Sequence, residues 1–414
     1  MEAFPSAEPP RARASFGVTR LEVSGFRSAR SVAFSPGPLC ALVGEANAGK
    51  SNLLAAIRAV LDPATAPLTA PDLTTDGEGE VSIELRLADG STAALVGSPE
   101  RHVVTAGANP PPVLFLPAEE RAGPAPAAWT AGTNTRATRV FERAFVRQAR
   151  TPGAQALAVL EAVESCSVRG LGGLLLLIEE PELYLRPQAQ RYLYRLLREF
   201  SLAGNQVIYS THSPAFLNVT RMEELVFVER LDGTGTRALQ PEPVSADEDF
   251  RVVTEFDATR SELFLARAVV LVEGLTEKLV LPYVFSALGY DVDREAISIV
   301  ECGGKPNLPL FAHICRATGV PFLVVHDSDA KASGRLAPAE RALNALIAET
   351  AGEGGVVVLD PDFEAVAGLR GHRRKPERAW REFAERDAAD MPGELVAVAE
   401  RAISFVRAHA RADR

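Results

Sequence analysis

Cysteine is scarce: four in 414 residues (Cys40, Cys166, Cys302, Cys315), with no C-x-x-C pair. That spacing offers neither a disulfide framework nor a zinc-ligand set. No apolar run approaches the roughly 20 residues a bilayer span needs. No signal peptide is legible either, so the expected compartment is a reducing cytoplasm with no membrane contact. Positive charge is also in deficit, 44 Lys and Arg against 54 Asp and Glu, for a formal net charge of −10. A chain coated in basic surface is thereby excluded, whereas a local groove for nucleic acid is not. One basic concentration stands out, Arg370, Arg373, Arg374, Lys375, Arg378 and Arg381; on charge alone it reads as a solvated helix end. Internal repeats are missing. What is present is ordinary for a soluble globular protein, 47% apolar and 24% charged residues, and the length favours two or possibly three domains.

The pattern along the chain predicts an α/β protein in two parts. Residues 1–16, rich in Pro, Ala and charge, read as a disordered tail. Residues 17–231 form a first domain. VTRLEVSGFRS alternates like a strand, LCALV is an apolar strand, VSIELRLAD and STAALVG read as a hairpin, and PPVLFLPAEE holds another short strand. Residues 121–135 read as a mobile loop, and helical spacing follows from about Thr138 to Glu164. LGGLLLLIEEPE reads as a strand buried on both faces, PQAQRYLYRLLREF as a helix, and NQVIYSTHSPAFL as strand then turn. Residues 232–262, with Gly, Pro, Asp and Glu interspersed, are the expected linker. Strand–helix alternation then restarts over 263–414, with strands in AVVLVEG, AISIVECGG, PFLVVHDSD and VVVLDPDFE.

GEANAGKS (Gly44 to Ser51) fits G-x-x-x-x-G-K-[ST] between an apolar strand and a helix, the setting that motif requires. Glycines let backbone N–H groups turn toward phosphates, and the helix N-terminus adds a favourable field. The expected nucleotide contacts are Gly44, Asn47, Gly49, Lys50, Ser51 and Asn52, with Lys50 reaching the β- and γ-phosphates and Ser51 holding Mg²⁺. Downstream, Glu179 and Glu180 close an apolar strand at the edge where α/β sheets bind ligands. Glu179 is expected to support the Mg²⁺ shell, Glu180 to orient or deprotonate an attacking water, and His212 in YSTHSP to sense the γ-phosphate.

Further along, AVVLVEGLTEKL ends a strand on Glu273 and places Glu277 four residues later. Alone, such spacing suits a solvated helix face. Here ECGGKPN follows with Gly303, Gly304 and Asn307, FLVVHDSDA supplies Asp327 and Asp329, and VVVLDPDFE supplies Asp360, Asp362 and Glu364. Successive strand ends bearing carboxylates would gather at one sheet edge, where like charges demand hard cations such as Mg²⁺ or Mn²⁺. Asp360 and Asp362 read equally well as helix caps.

The order G-x-x-x-x-G-K-S, hhhhEEPE and STHSP resembles the ABC-type ATPases of the RecF/SMC/OLD group, with EEP as in the OLD branch. The E-x-x-x-E, GG-x-x-N and D-x-D series resembles the Toprim fold, and the two in this order are similar to the OLD family of ATP-dependent nucleases over about residues 18–385. The resemblance implies an ABC-type ATPase head followed by a Toprim domain with a parallel sheet, and an ATP-regulated, metal-dependent endonuclease acting on DNA, RNA not being excluded. Its cofactors would be ATP with one ion and two Mg²⁺ or Mn²⁺ ions in the Toprim site. By carry-over, Glu273, Glu277, Asp327 and Asp329 are metal ligands, Glu364 completes the second ion, and Lys375 stabilises charge on the scissile phosphate, which turns the basic cluster into a DNA-facing strip. Assembly through the ATPase heads into a homodimer or higher homo-oligomer, a helicase-like or other defence partner, and a part in defence against phage or in DNA processing follow by the same analogy. The chain departs from the family in two places. In the signature-loop candidate Thr151-Pro152-Gly153-Ala154-Gln155, Pro152 stands where a serine is expected, and the long helical arm is missing. An ATPase sensor or scaffold with a silent Toprim site, controlling a partner effector, is therefore the alternative. A topoisomerase would need a tyrosine in a separate cleavage domain, which none of the six tyrosines has. A primase would need a template-binding module, and none is legible.

Overall fold

A computed structural model describes residues 16–74, 79–118, 135–148, 152–217, 219–231, 233–241, 260–330, 336–352, 354–369 and 375–412. The chain divides into two compact units, Met1–Pro243 and Val244–Arg414, both α/β as expected. The expected tail over 1–15, the loop over 121–134 and most of the expected linker, 242–259, lie outside the described residues.

In the first unit, five antiparallel strands run in the order β2-β1-β4-β5-β6: β1 (Val18–Phe26), β2 (Ala29–Phe34), β4 (Val81–Leu87), β5 (Thr92–Gly97) and β6 (His102–Thr105). β4 alternates buried and exposed residues without a break, the mark of a sheet with one face on the core and the other in water. The expected hairpin is present as β4 paired with β5. A second sheet runs β11-β10-β3-β9-β8-β7, from β3 (Leu39–Val43), β7 (Val113–Leu116), β8 (Leu175–Glu179), β9 (Gln206–Thr211), β10 (Leu225–Leu231) and β11 (Gly235–Leu239). All but β11 are parallel. Every residue of β3 and β9 is buried, as befits strands covered on both faces. Between the sheets lie α1 (Lys50–Leu61) and an apolar core including Leu53, Leu54, Ile57, Ile83, Leu85 and Leu177.

Two expectations for this unit are revised. The helical spacing read from about Thr138 to Glu164 belongs to two helices, α2 (Arg136–Gln148) and α3 (Pro152–Val168), and the second takes in residues 152–155, which the sequence reads as a loop ahead of it; Pro152 lacks an N–H and suits the first turn of a helix. Residues 235–239, within the stretch read as linker, form β11 and pair with β10; Gly233 and Gly235 at φ 78° and 82° make the reversal. The remaining helix, α4 (Pro187–Leu202), buries Leu193, Leu196, Leu197 and Phe200 on one face.

The second unit is a four-stranded parallel sheet in the order β13-β12-β14-β15: β12 (Ala268–Val272), β13 (Ile297–Glu301), β14 (Phe322–Asp327) and β15 (Val356–Leu359). Ala268, Val270 and Val272 of β12 face a core shared with α5 (Leu275–Ala287) and other helices of the unit. Val269 and Leu271 are equally buried on the opposite face, where α6 (Leu308–Thr318) packs and α7 (Pro338–Ala351) lies beside it. The short α8 (Phe363–Ala367), α9 (Lys375–Ala384) and α10 (Gly393–Ala412) complete the chain. In this order the chain reverses direction between β12 and β14, so a crevice opens at their C-terminal ends.

Candidate functional sites: a phosphate loop and an acidic sheet edge

The Gly44–Ser51 loop joins the C-terminal end of β3 to α1. Gly44 sits at φ 158°, and a Cβ there would lie 1.9 Å from the Val228 carbonyl oxygen. Gly49, at φ 105°, is pressed 2.1 Å (Cβ position) from the Thr236 hydroxyl of β11. Asn47 also has a left-handed backbone, φ 63°. Lys50 is buried, and its Nζ donates to the carbonyls of Gly44 at 2.9 Å and Glu45 at 2.7 Å. Burial lowers its pKa to about 8, against the opposing pull of Glu180, Glu182 and Glu45. Ser51 is exposed. The Asn52 amide is engaged by Ser28 at 2.6 Å and Arg27 at 3.3 Å, tying α1 to the β1–β2 turn.

Glu179 ends β8 and accepts from the Ala118 N–H at 2.9 Å. Glu180 follows with φ 44°, its N–H donating to the Ser210 carbonyl at 2.9 Å. Its Oε1 lies 3.7 Å from His212 Nε2. Burial lowers the pKa of His212, helped by Lys50 and opposed by Glu180. Lys50, Glu180 and His212 therefore share one electrostatic neighbourhood. Sequence reasoning missed Glu182, whose Oε1 accepts from the His212 N–H at 2.6 Å and the Thr211 hydroxyl at 2.9 Å. Its Oε2 is buried with no hydrogen-bond partner among the described residues, and burial raises its pKa. Of the signature-loop candidate, Thr151 and the side chains of 152–155 lie outside the described residues.

In the second unit, Glu273 follows β12, Glu277 lies in the first turn of α5, Asp327 ends β14, and Glu364 lies in α8. Glu273 Oε1 accepts from the Asp327 N–H at 2.7 Å, and Asp327 Oδ1 accepts from the Phe363 N–H at 2.8 Å. Three of these carboxyls are pushed up to about 7. Burial is the main cause for Glu273, followed by Glu277 and Asp329 among the acids. For Glu277, which is 8% exposed, burial is joined by repulsion from Asp327, Glu364 and Glu301. Burial and the charges of Glu273, Asp329 and Glu364 do the same to Asp327. The five carboxylates thus feel one another across the switch point between β12 and β14.

Among the described residues, no three His, Cys, Asp or Glu side chains are grouped closely enough to hold an ion as they stand. The donor set nonetheless suits a hard divalent cation, being all oxygen, half-buried and mutually repelling. Asp362 caps α8 by accepting from the Ala365 N–H at 2.8 Å, and Asp360 accepts from the Ser328 hydroxyl. Lys375 begins α9, with its side chain outside the described residues, as are Arg370, Arg373 and Arg374. Arg378 and Arg381 pair with Glu382 and Glu377 along α9.

A second residue missed from sequence is Lys305, in the turn after β13. Only 5% exposed, it donates from Nζ to the Asp327 carbonyl and to Asp329 Oδ2, both at 2.6 Å. The one available signal was a lysine directly after two glycines at a strand end.

Comparison with known proteins agrees with this division. Residues 264–329 match the family model "Overcoming lysogenization defect protein-like, TOPRIM domain", and residues 170–217 match "AAA ATPase domain". An OLD nuclease of Thermus scotoductus is 38% identical over 222 residues, 49% of this chain and 42% of that protein. The Old nuclease of Escherichia phage P2 is 32% identical over 162 residues, 37% of this chain and 28% of that protein. The chain thus spans less than half the length of these curated relatives. The C-terminal region of the Xanthomonas campestris OLD protein superposes with a TM-score of 0.29 at 14% identity, covering 37% of this chain and all of that one, a likeness too slight to bear on function. No described helix is long and apolar enough to cross a membrane. The chain therefore joins an AAA ATPase domain to an OLD-like TOPRIM domain, and is similar to OLD nucleases over up to about half of its length.

Proposed function

We propose that the chain is an ATP-regulated, divalent-metal-dependent endonuclease that cleaves DNA phosphodiester bonds in the cytoplasm, in defence against phage. The observation that carries the reading is the mutual electrostatic coupling of Glu273, Glu277, Asp327, Asp329 and Glu364 at one sheet edge. Burying that much like charge is costly unless cations offset it. Domains of these two types use a nucleotide and a divalent metal, and the ions proposed here are Mg²⁺ or Mn²⁺. Two would be held by Glu273, Glu277, Asp327 and Asp329, with Glu364 completing the second. Bound there, they would polarise the phosphodiester and lower the pKa of water. Lys375 and the arginines beside it would meet the DNA backbone, whose phosphates a basic strip attracts. In the ATPase domain, Lys50 would turn from its loop carbonyls to the β- and γ-phosphates, while Ser51 and Glu179 serve the nucleotide's own ion. Glu180 would take the proton of the attacking water, and His212, 3.7 Å from it, would read whether the γ-phosphate is present. The ATPase heads would pair two copies of the chain, and a helicase-like partner would act with them. The domain limits proposed are 17–241, extended from 231 to take in β11, and 263–414.

Plasmid nicking with Mg²⁺ or Mn²⁺, on the wild type and on Glu277→Ala, tests the reading. Cutting lost only in the variant supports it; equal cutting by both, or by neither, refutes it. Two observations favour the sensor or scaffold alternative: Lys305 already pairs with Asp329, and among the described residues no three acids stand grouped for an ion. That alternative expects ATP turnover with no cutting under any metal.

A further inference from the structure

Gly303 and Gly304, at φ 73° and 118°, turn the chain back after β13 so that the Gly304 N–H donates to the Glu273 carbonyl at 2.8 Å. The turn aims Lys305 into the acidic edge. A buried ammonium is unfavourable unless it is paired and its hydrogens are accepted, and here three oxygens surround it. The Asp327 carbonyl and Asp329 Oδ2 lie at 2.6 Å, and Glu340 Oε2 of α7 lies at 3.6 Å. Its charge also reaches Glu273, where it opposes the effect of burial. Asp329 and Glu340 are each partly open to solvent, 43% and 38% exposed, whereas the lysine side chain is 6% exposed. The cation is therefore the enclosed member of the arrangement, with two acids within its reach.

We propose that Lys305 is a resident counter-cation that occupies the Asp329 side of the acidic edge, so that a first divalent ion enters on Glu273, Glu277 and Asp327, and a second is taken only when the ammonium leaves Asp329 for Glu340. The inference rests on the reading of this edge as a metal site and adds an order of loading to it. An ammonium and a divalent ion sharing one carboxylate repel each other. Exchange to Glu340 moves the positive charge off the site while keeping it paired. Lys305 is thus a positioning residue: it sets how tightly the second ion is held and does not touch the scissile bond.

The test is Mn²⁺ titration of the metal-stripped full chain without nucleotide, read by calorimetry and by electron paramagnetic resonance. The wild type is expected to load in two steps, the second weaker. Lys305→Met should tighten the second step about tenfold or more, the effect of one like charge at short range. Glu340→Gln should weaken the second step and leave the first unchanged, because the displaced ammonium loses its resting place. An unchanged second step in Lys305→Met, or loss of both steps in a variant whose circular dichroism is native, overturns the inference while leaving the metal site intact in the wild type. Should Lys305→Met unfold when stripped of metal, native dichroism regained on adding Mn²⁺ supports the inference, and failure to regain it overturns it. A wild type that binds no Mn²⁺ at all overturns the metal reading itself and the inference with it.

Discussion

Replacing Glu277 with Gln removes one charge from the acidic edge and nothing else of comparable size, and it ought to stabilise the metal-free protein above neutrality. The carboxyl moves from 4.5 when unfolded to about 7 when folded, chiefly because only 8% of the residue is exposed. A raised carboxyl pKa means that the folded state holds the proton more tightly. Stability from this group is therefore complete below about pH 4.5 and is lost as pH rises through about 7. At about 1.4 kcal/mol per pKa unit, the loss by pH 8 is on the order of 3 kcal/mol. Because Glu273 and Asp327 titrate in the same range, the three carboxyls ionise as a set and the gain from one Gln is nearer 1–3 kcal/mol. Trp380 lies on α9, whose Ala379 and Phe383 share the core of α5. With Trp129 replaced by Phe, its fluorescence during denaturant unfolding in EDTA follows this unit. Glu277→Gln should unfold at higher denaturant than the wild type at pH 8 and at the same denaturant at pH 5. Equal midpoints at pH 8, or a variant weaker there than the wild type, would refute the account of a charge-strained edge. Adding Mg²⁺ should raise the wild-type midpoint more at pH 8 than at pH 6, and should do little for the variant.

Gly44→Ala places a Cβ against the Val228 carbonyl at a left-handed φ; a loss of roughly 3 kcal/mol or more follows, read as a lowered midpoint of the first unit. Glu182→Ala strips the acceptor from the half-buried His212 N–H. It should cost about 1–3 kcal/mol and speed amide hydrogen exchange at His212 and Ser213, whereas unaltered exchange would show that the loop is held by other means. The Lys50 pKa of about 8 means that its positive charge fades as pH rises through 8. ATP affinity, measured with a fluorescent analogue, should therefore fall between about pH 7.5 and 9, and Lys50→Arg, always charged, should flatten that profile.

The strands and the acidic residues at their ends were legible because both follow from short-range pattern. An apolar run closed by a carboxylate reads the same in isolation as it does in the sheet, as LLLIEE and AVVLVEG show. Glycines also announced themselves at Gly44 and Gly49, where a phosphate loop needs a backbone that other residues adopt only under strain. What escaped reading depends on pieces far apart in sequence. Thr236 reaches the Ala48 carbonyl at 3.0 Å from a stretch whose composition reads as linker, and nothing local marks it as a strand. Glu182 sits within EEPE, yet its task is set by a chain reversal at β9, 30 residues on. By contrast, Asp360 and Asp362 read from the sequence as possible helix caps, and Asp362 does cap α8. The loop read at 151–155 is instead helical from Pro152 onward, because a proline is tolerated in a helix's first turn, where its missing N–H costs nothing.

The two units answer the same problem with opposite outcomes. Each gathers acids at the C-terminal ends of parallel strands, and each buries a lysine beside them, Lys50 in one and Lys305 in the other, both 5% exposed. Among the described residues Lys50 donates to backbone carbonyls, which carry no net charge, so an anionic phosphate can draw it away at little electrostatic cost. Lys305 donates to a carbonyl and to the Asp329 carboxylate, a charge-assisted bond of the stronger kind. A phosphate offered to Lys305 would have to compete with a carboxylate already in place, and a divalent ion offered to Asp329 would have to compete with the lysine. On the reading proposed above, the first edge receives an anion and the second admits cations one at a time. Exchanging the partners would expose the logic: in the Trp129→Phe background, Asp329→Asn together with Glu340→Gln should free Lys305 for anions, so that inorganic phosphate raises the denaturant midpoint followed at Trp380 in the variant and leaves that of the parent unmoved. A phosphate response equal in both proteins would show that the lysine's partner does not set which ion the edge accepts.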